Sequence, residues 1–441
     1  MKPFLTFLLL GIAATARAEL QVGFAETDIT PPVGAIMTGP ALPITIAMED
    51  PLYAKAIVVR NGEDTLTIVG LDLVKITRHV ADRAIAEATK CTGIPTSAIL
   101  LCPSHNHSSP FLPTSGPNNK DYLATLPGII ADTIAKAHNQ LQPARMYLGR
   151  SLVYEGISNR RVLSKIDGLA MNTWLGDLDD LTKHPQVLGT EGPVDPELWV
   201  ARFDALDGKV LGTLVNFTCH PNLRDRKLVK SWSADFPGVI AEHIKDAHGD
   251  DTVCVFTQGC SGNINAASGQ TDNWRAKAIP FGEAAVDAAR RAIPIEGPIP
   301  VACIRRDIEV DRSDPDAQRD GAIARLGWRP EAFIGSQRSL ADMPEIRSVP
   351  VSAARIGPLG IGTNAGELFV EYGIDIKKRS PFLHTIVCEL TNDAIGYEPT
   401  ARGFAHEGYE TLAGVNQITQ KGIETLVDTA VEMLEELSER D

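Results

Sequence analysis

Apolar positions along the chain follow two rhythms, one of period two and one near 3.6, and they alternate from end to end. In "YAKAIVVRNGEDTLTIVGLDLV" two runs rich in β-branched residues flank Asn61-Gly62, which predicts a β-hairpin. From about Thr77 to Lys90, Val80, Ala84, Ile85 and Ala88 fall on one face and predict a helix. The short apolar run Ala98 to Cys102 predicts a buried strand, and a second helix is predicted from Tyr122 to Ala137. The order then recurs. "WVARFDALDGKVLGTLVNFTCHP" reads as a hairpin turning at Asp207-Gly208, "FPGVIAEHIKDAH" as a helix and "TVCVFTQGC" as a short buried strand. A helix from Trp274 to Ala292 precedes strands at Val301 to Val310 and Val349 to Ile361. "GELFVEYGIDIKKR" is then expected as a helix, "HTIVCEL" as a strand and Ile418 to Leu437 as a terminal helix.

Alternating strands and helices, with tight hairpins that demand antiparallel pairs, place the chain in the α/β class with mixed β-sheets and flanking helices. Residues 158–196 and 312–346 are polar, rich in Gly, Pro and Asp, and are expected as excursions over the surface. No Ser- or Pro-rich linker divides the chain, so residues 19–441 are expected to form a single large domain.

Composition adds a compartment and excludes some partners. "MKPFLTFLLLGIAATARA" has an early Lys, an apolar run and a small-residue A-x-A ending at Ala18, the layout of a cleaved signal peptide. The product is therefore expected in the periplasm or secreted, and no later apolar run is long enough to span a membrane. A formal net charge of −14 over 441 residues repels phosphate backbones, which argues against nucleic acid as a partner. Nothing in the sequence speaks to oligomeric state. The 7 cysteines include no CxxC, their odd number leaves at least one unpaired, and most have apolar neighbours, so most are expected as small buried core residues.

The chemistry is carried by histidines. The chain has only 10, yet "ILLCPSHNHSSPF" places His105 and His107 one residue apart at the end of an apolar strand, where i and i+2 side chains share a face. "LVNFTCHPN" repeats the arrangement at His220, and "TQGCSGNIN" ends a third apolar run in a Gly/Ser turn holding Ser261. Strands that each end in a polar cluster suggest one shared site, and imidazoles on separate strand ends are natural ligands of a cation such as zinc. Asp235 in "SADF" is either a structural turn carboxylate or a residue that orients a ligating His.

The ordered set "ETDITPPVG", "DPLYAKAIVV", "LDLV", "PSHNHSSP", "SNR", "FTCHPN", "SADFPG", "QGCSGNIN", "NAGELF" and "LTNDAIGYEPTARGFAHEGYE" resembles the neutral, non-lysosomal ceramidases from about Gly23 to Leu412. That resemblance implies a zinc amidohydrolase with one zinc per chain, held by His105, His220, Glu367 and Tyr397, acting on ceramide or a related N-acyl lipid amide through an activated water. It implies His107 as proton shuttle, and Arg160 and Tyr409 as groups that hold the substrate oxygen or the oxyanion. Tyr397 and Tyr409 keep the family's 12-residue spacing, with Glu410 after the second. Ser261 matches a functional serine of the family, as nucleophile or, preferably, in a supporting role.

The departures are local. Gly259 stands where the family has an Asp two residues before the Ser, and Arg161-Val162 replaces its Ser-Pro. The family's further immunoglobulin-like module finds no counterpart after the Tyr motif, so the resemblance covers the catalytic domain. Two other readings stay open: a metal-dependent esterase or phosphatase on the same ligands, and a non-catalytic envelope binding protein.

Overall fold

The computed structural model describes residues 19–38, 43–112, 117–171, 185–224, 230–267, 271–317, 323, 324, 327 and 329–440. The expected leader, 1–18, lies outside them. Tyr53–Asn61 and Asp64–Leu71 form the antiparallel hairpin expected at Asn61-Gly62, with Gly62 at φ 65° as such a turn requires. Gln21–Asp28 pairs antiparallel with the first of these strands, and Ile99–Pro103 adds in parallel beside the second.

A second group of strands builds the other half of the same 9-stranded sheet. Gln142–Leu152, Glu197–Ala205 and Val210–Phe217 alternate in direction, and Val253–Gln258 lies parallel to the last of them. Among the described residues the strand pairing that links the halves is Gln21 with Pro143 and Val22 with Gln142. At that narrow corner the sheet folds over, so that Leu66, Ile68 and Leu100 from one half share a core with Phe203, Leu214 and Val255 from the other.

Helices cover the two outer faces because each presents an apolar stripe to them. Arg78–Thr92 and Pro117–Asn139 bury Val80, Ala84, Ile85, Leu126, Ile130 and Ile134 against one half. Asp235–His248 and Trp274–Arg290 cover the other. A separate 4-stranded sheet closes the open edge of the central core with Ile356, Ile361 and Ile386, and carries Gln420–Ser438 on its far side. The class is α/β with mixed sheets, as expected. Five of the cysteines are buried, while Cys91 is exposed and Cys303 intermediate. Among the described residues no helix is long and apolar enough to cross a membrane.

Three local expectations change. The run 349–361 is two strands, Ile346–Ile356 and Leu359–Thr363, because Gly357 at φ 56° turns the chain back. "GELF" is not helical: Glu367–Leu368 pairs in parallel with Tyr397–Glu398, and the helix begins only at Val370. The carbonyls of Gly396 and Glu398 capture the amides of Glu367 and Phe369, so tertiary pairing overrides helix propensity there. The polar excursions carry short elements of their own, including Ile157–Asn159 and Ile334–Ala341. Residues 172–184 and much of 318–328 lie outside the described residues.

The two halves meet almost backbone to backbone where Gly70 faces Phe256. A Cβ at position 70 would lie 2.5 Å from the Phe256 carbonyl oxygen. Gly70→Ala is therefore expected to cost about 1–3 kcal/mol by overpacking, read as a lower midpoint in thermal unfolding.

Candidate metal centre

Parallel pairing at both sheet edges sends the carboxyl ends of Ile99–Pro103, Val210–Phe217 and Val253–Gln258 to one side, and there the chain turns into the site. His105 does not sit on an extended strand as the i, i+2 argument assumed. Its backbone is left-handed, φ 64°, and this bend brings its ring to that of His107, with Nε2 atoms 3.2 Å apart. His220 follows three residues after the strand end at Phe217, and its ring is fully buried.

Each of the two buried imidazoles is oriented by a backbone carbonyl. Nδ1 of His105 lies 2.8 Å from the Val74 oxygen, and Nδ1 of His220 lies 2.7 Å from the Ser261 oxygen. A carbonyl only accepts, so both Nδ1 atoms donate, and in the neutral rings both Nε2 atoms carry lone pairs. Those two nitrogens face each other at 2.9 Å. Glu367 Oε2 stands 3.1 Å from the first and 3.4 Å from the second, is buried, and accepts no hydrogen bond. The Tyr397 hydroxyl is 3.4 Å from His220 Nε2, and the pairing of Glu367 opposite Tyr397 in their short parallel strands presents both to the histidines. Nitrogen atoms of His105, His107 and His220 all lie within 4.8 Å of one another. Lone pairs without a shared proton repel, and a divalent cation removes the repulsion; two or three imidazoles, a carboxylate and a phenol are a donor set that suits a zinc-class ion.

Electrostatics agrees with a neutral His220 ring beside an ionised carboxylate. Burial, with the positive charges nearby, pushes His220 down to about 3. Burial acts to raise Glu367, but His105 and His220 outweigh it and hold the carboxyl well below its usual range. Burial holds the Tyr397 phenol well above its ordinary value, with Arg160 pulling the other way. Lys75, next to Val74, is lowered by burial against the attraction of Glu367 and Asp393.

The other sequence-derived candidates divide. Arg160 is only 1% exposed, so it is no solvated cation. Its guanidinium lies 5.2 Å over the Tyr397 ring and gives hydrogen bonds to Glu410, the Gly262 carbonyl and Asn265. Tyr409 is half-buried, with its ring 5.5 Å from that of Tyr397. Ser261 is fully buried, and its hydroxyl donates to Glu389 at 2.6 Å, an arrangement that supports the turn and offers no free nucleophile. Asp235 does not orient a ligating histidine: its carboxylate accepts from the amides of Arg224 and Phe236.

No family model matches the chain. A stretch of 235 residues, 49% of this chain, is 25% identical to the neutral ceramidase of Pseudomonas aeruginosa and spans 32% of that protein's length. The crystal structure of neutral ceramidase from the same organism superposes with a TM-score of 0.75 at 19% identity, covering 96% of this chain and 75% of that one. A ceramidase complexed with C2 gives 0.74 at 18% identity, covering 96% and 76%.

The chain is a relative of the neutral ceramidases. Several residues that hold this site together were not singled out by sequence reasoning. Val74 acts through a backbone carbonyl, which leaves no trace in residue type. Glu389 had a legible signal, a carboxylate at the end of the apolar run "HTIVCEL". Arg161, a departure from the ceramidase pattern, is fully buried and pairs with both Glu191 and Glu410, with the Glu410 contact at 2.6 Å. It also donates to the carbonyls of Gly403 and Glu407, and so fastens the loop that carries Tyr409.

Removing one partner of such a buried network leaves uncompensated charge, so Arg161→Ala is expected to cost about 3–5 kcal/mol in urea unfolding at pH 7. Burial acts to raise Glu410, but Arg161 and Arg160 outweigh it and lower its folded pKa below the ordinary carboxyl value of 4.5. The stability this ionisation contributes is thus present above 4.5 and is lost as pH falls through the depressed folded value. Unfolding measured from pH 7 to pH 2 should show that loss in the parent chain and a shallower one in the variant.

Proposed function

We propose that the protein is an exported, zinc-dependent amidohydrolase of the neutral ceramidase type, cleaving the N-acyl amide of ceramide or a related N-acyl lipid. The observation that carries the reading is the meeting of His105 Nε2, His220 Nε2 and Glu367 Oε2 within 3.4 Å, with both imidazole protons committed to carbonyls on the far side. His105, His220, Glu367 and Tyr397 are the residues that would hold the ion. A divalent cation bound there supplies Lewis acidity that activates water for attack on a carbonyl at neutral pH.

The chain's own residues divide the remaining work. His107 is half-buried beside the ligand nitrogens, placed to take a proton from the nucleophile and return it to the leaving amine. Tyr409, half-buried at the edge of the site, is positioned to donate to the oxygen of the scissile carbonyl as charge develops there. Arg160, 5.2 Å over the Tyr397 ring, pulls the phenol toward ionisation against the larger opposing effect of burial. The reading as a single exported domain, 19–441, rests on the signal-like leader and on the unbroken sequence pattern.

Elemental analysis of the purified mature protein should find about one zinc per chain, and chelation should abolish amine release from an N-acyl sphingoid substrate. His105→Ala should lower both metal content and turnover by at least two orders of magnitude. A panel of amides, esters and phosphates separates amidase from esterase or phosphatase, since each leaving group makes a different demand on His107. Full activity in metal-free protein, or zinc binding without hydrolysis across the panel, would sink the proposal.

A further inference from the structure

The four proposed ligands come from distant parts of the chain, and what aligns the His220 side with the Glu367 side is a buried carboxylate that the proposed chemistry does not use. Glu389 follows the strand His384–Cys388 and is fully buried. Its Oε1 accepts the Ser261 hydroxyl at 2.6 Å, while Oε2 accepts the Ser261 amide at 3.0 Å and the Leu368 amide at 3.1 Å. Ser261 supplies the carbonyl that orients His220, and Leu368 is the residue after Glu367. A fourth bond, from the Gly262 amide to the Leu368 carbonyl at 2.9 Å, runs beside these three.

We infer that Glu389 is a positioning residue of the metal centre, which fixes the His220 ring and the Glu367 backbone in register through Ser261 and Leu368. The inference rests on the metal-site reading above. The local sequence could not have supplied this carboxylate itself: a Cβ at Gly259 would lie 2.2 Å from Thr218 Oγ1, so no side chain fits two residues before Ser261. The carboxylate reaches the turn instead from a strand 128 residues away in sequence. The turn is also pressed against the ligand segment, since a Cβ at Gly262 would lie 2.3 Å from the Glu367 carbonyl. Small displacements of Ser261 therefore reach both ligand-bearing segments. The geometry makes a further demand that tests the idea. A glutamine at 389 can still accept both backbone amides with its oxygen and donate to the Ser261 hydroxyl with its nitrogen, so the amide should replace the acid.

The test uses cobalt(II) as the probe, added to metal-free full-length protein and followed by its d–d absorption. Glu389→Ala is expected to weaken cobalt affinity about 10–100-fold and to change the shape of the d–d band, as removal of outer partners of metal ligands does. Glu389→Gln should return the affinity to within about threefold of the parent and restore the band, a recovery that would not follow if 389 merely filled space with charge. Ser261→Ala, which breaks one of the three bonds and keeps the His220 carbonyl contact, should weaken affinity by a smaller factor, about 3–10-fold. Parent affinity and spectrum in Glu389→Ala would overturn the inference. Where that chain does not fold, parent behaviour in Ser261→Ala would overturn it equally. A folded parent protein that binds no cobalt would overturn the metal reading and this inference together, which distinguishes the two failures.

Discussion

Two unprotonated imidazole nitrogens 2.9 Å apart are the constraint around which this molecule is arranged. Bringing two lone pairs and a carboxylate oxygen together in a buried pocket is unfavourable unless a cation sits among them, because little water is there to screen the repulsion. The rings cannot turn away to relieve it. His105 is held by the Val74 carbonyl and His220 by the Ser261 carbonyl, and both are sealed by their neighbours. The protein thus invests its packing in holding three donor atoms face to face.

The folded-over sheet makes that investment feasible. Its central core is shared by strands from both halves and from the separate 4-stranded sheet, so the strand ends that carry the site are fixed relative to one another by apolar packing. Irregular backbone gathers where strands give way to site. His105, Leu390 and Asn392 all adopt positive φ, and the Asn392 side chain completes the hydrogen bonding of the Ile99–Pro103 edge by pairing with Leu101 and Ile99. Around this, buried charge is balanced in pairs: Arg160 and Arg161 against Glu410 and Glu191. Such networks fix geometry more than they add stability, in keeping with their place behind Tyr397 and Tyr409.

Much of the architecture was legible along the chain because it follows from local rules. The Asn61-Gly62 hairpin, the helix near Arg78–Thr92 and the buried run at Ile99–Pro103 come from turn chemistry and periodicity, which depend on neighbouring residues. The expectation failed where a distant partner decided the matter. Glu367–Leu368 became a strand because the segment Gly396–Glu398 offered carbonyls to it.

The sequence by itself determined the fold class, the strand-to-histidine pattern and the presence of a rare cluster of imidazoles, because hydrophobic spacing and residue type are properties of the chain. Only the tertiary structure decided which atoms of those imidazoles face one another, that Arg160 lies buried beside Tyr397, and that Glu389 reaches Ser261 from another strand. These are distances between residues far apart in sequence, set by how the sheets close on their common core, and no local pattern encodes them.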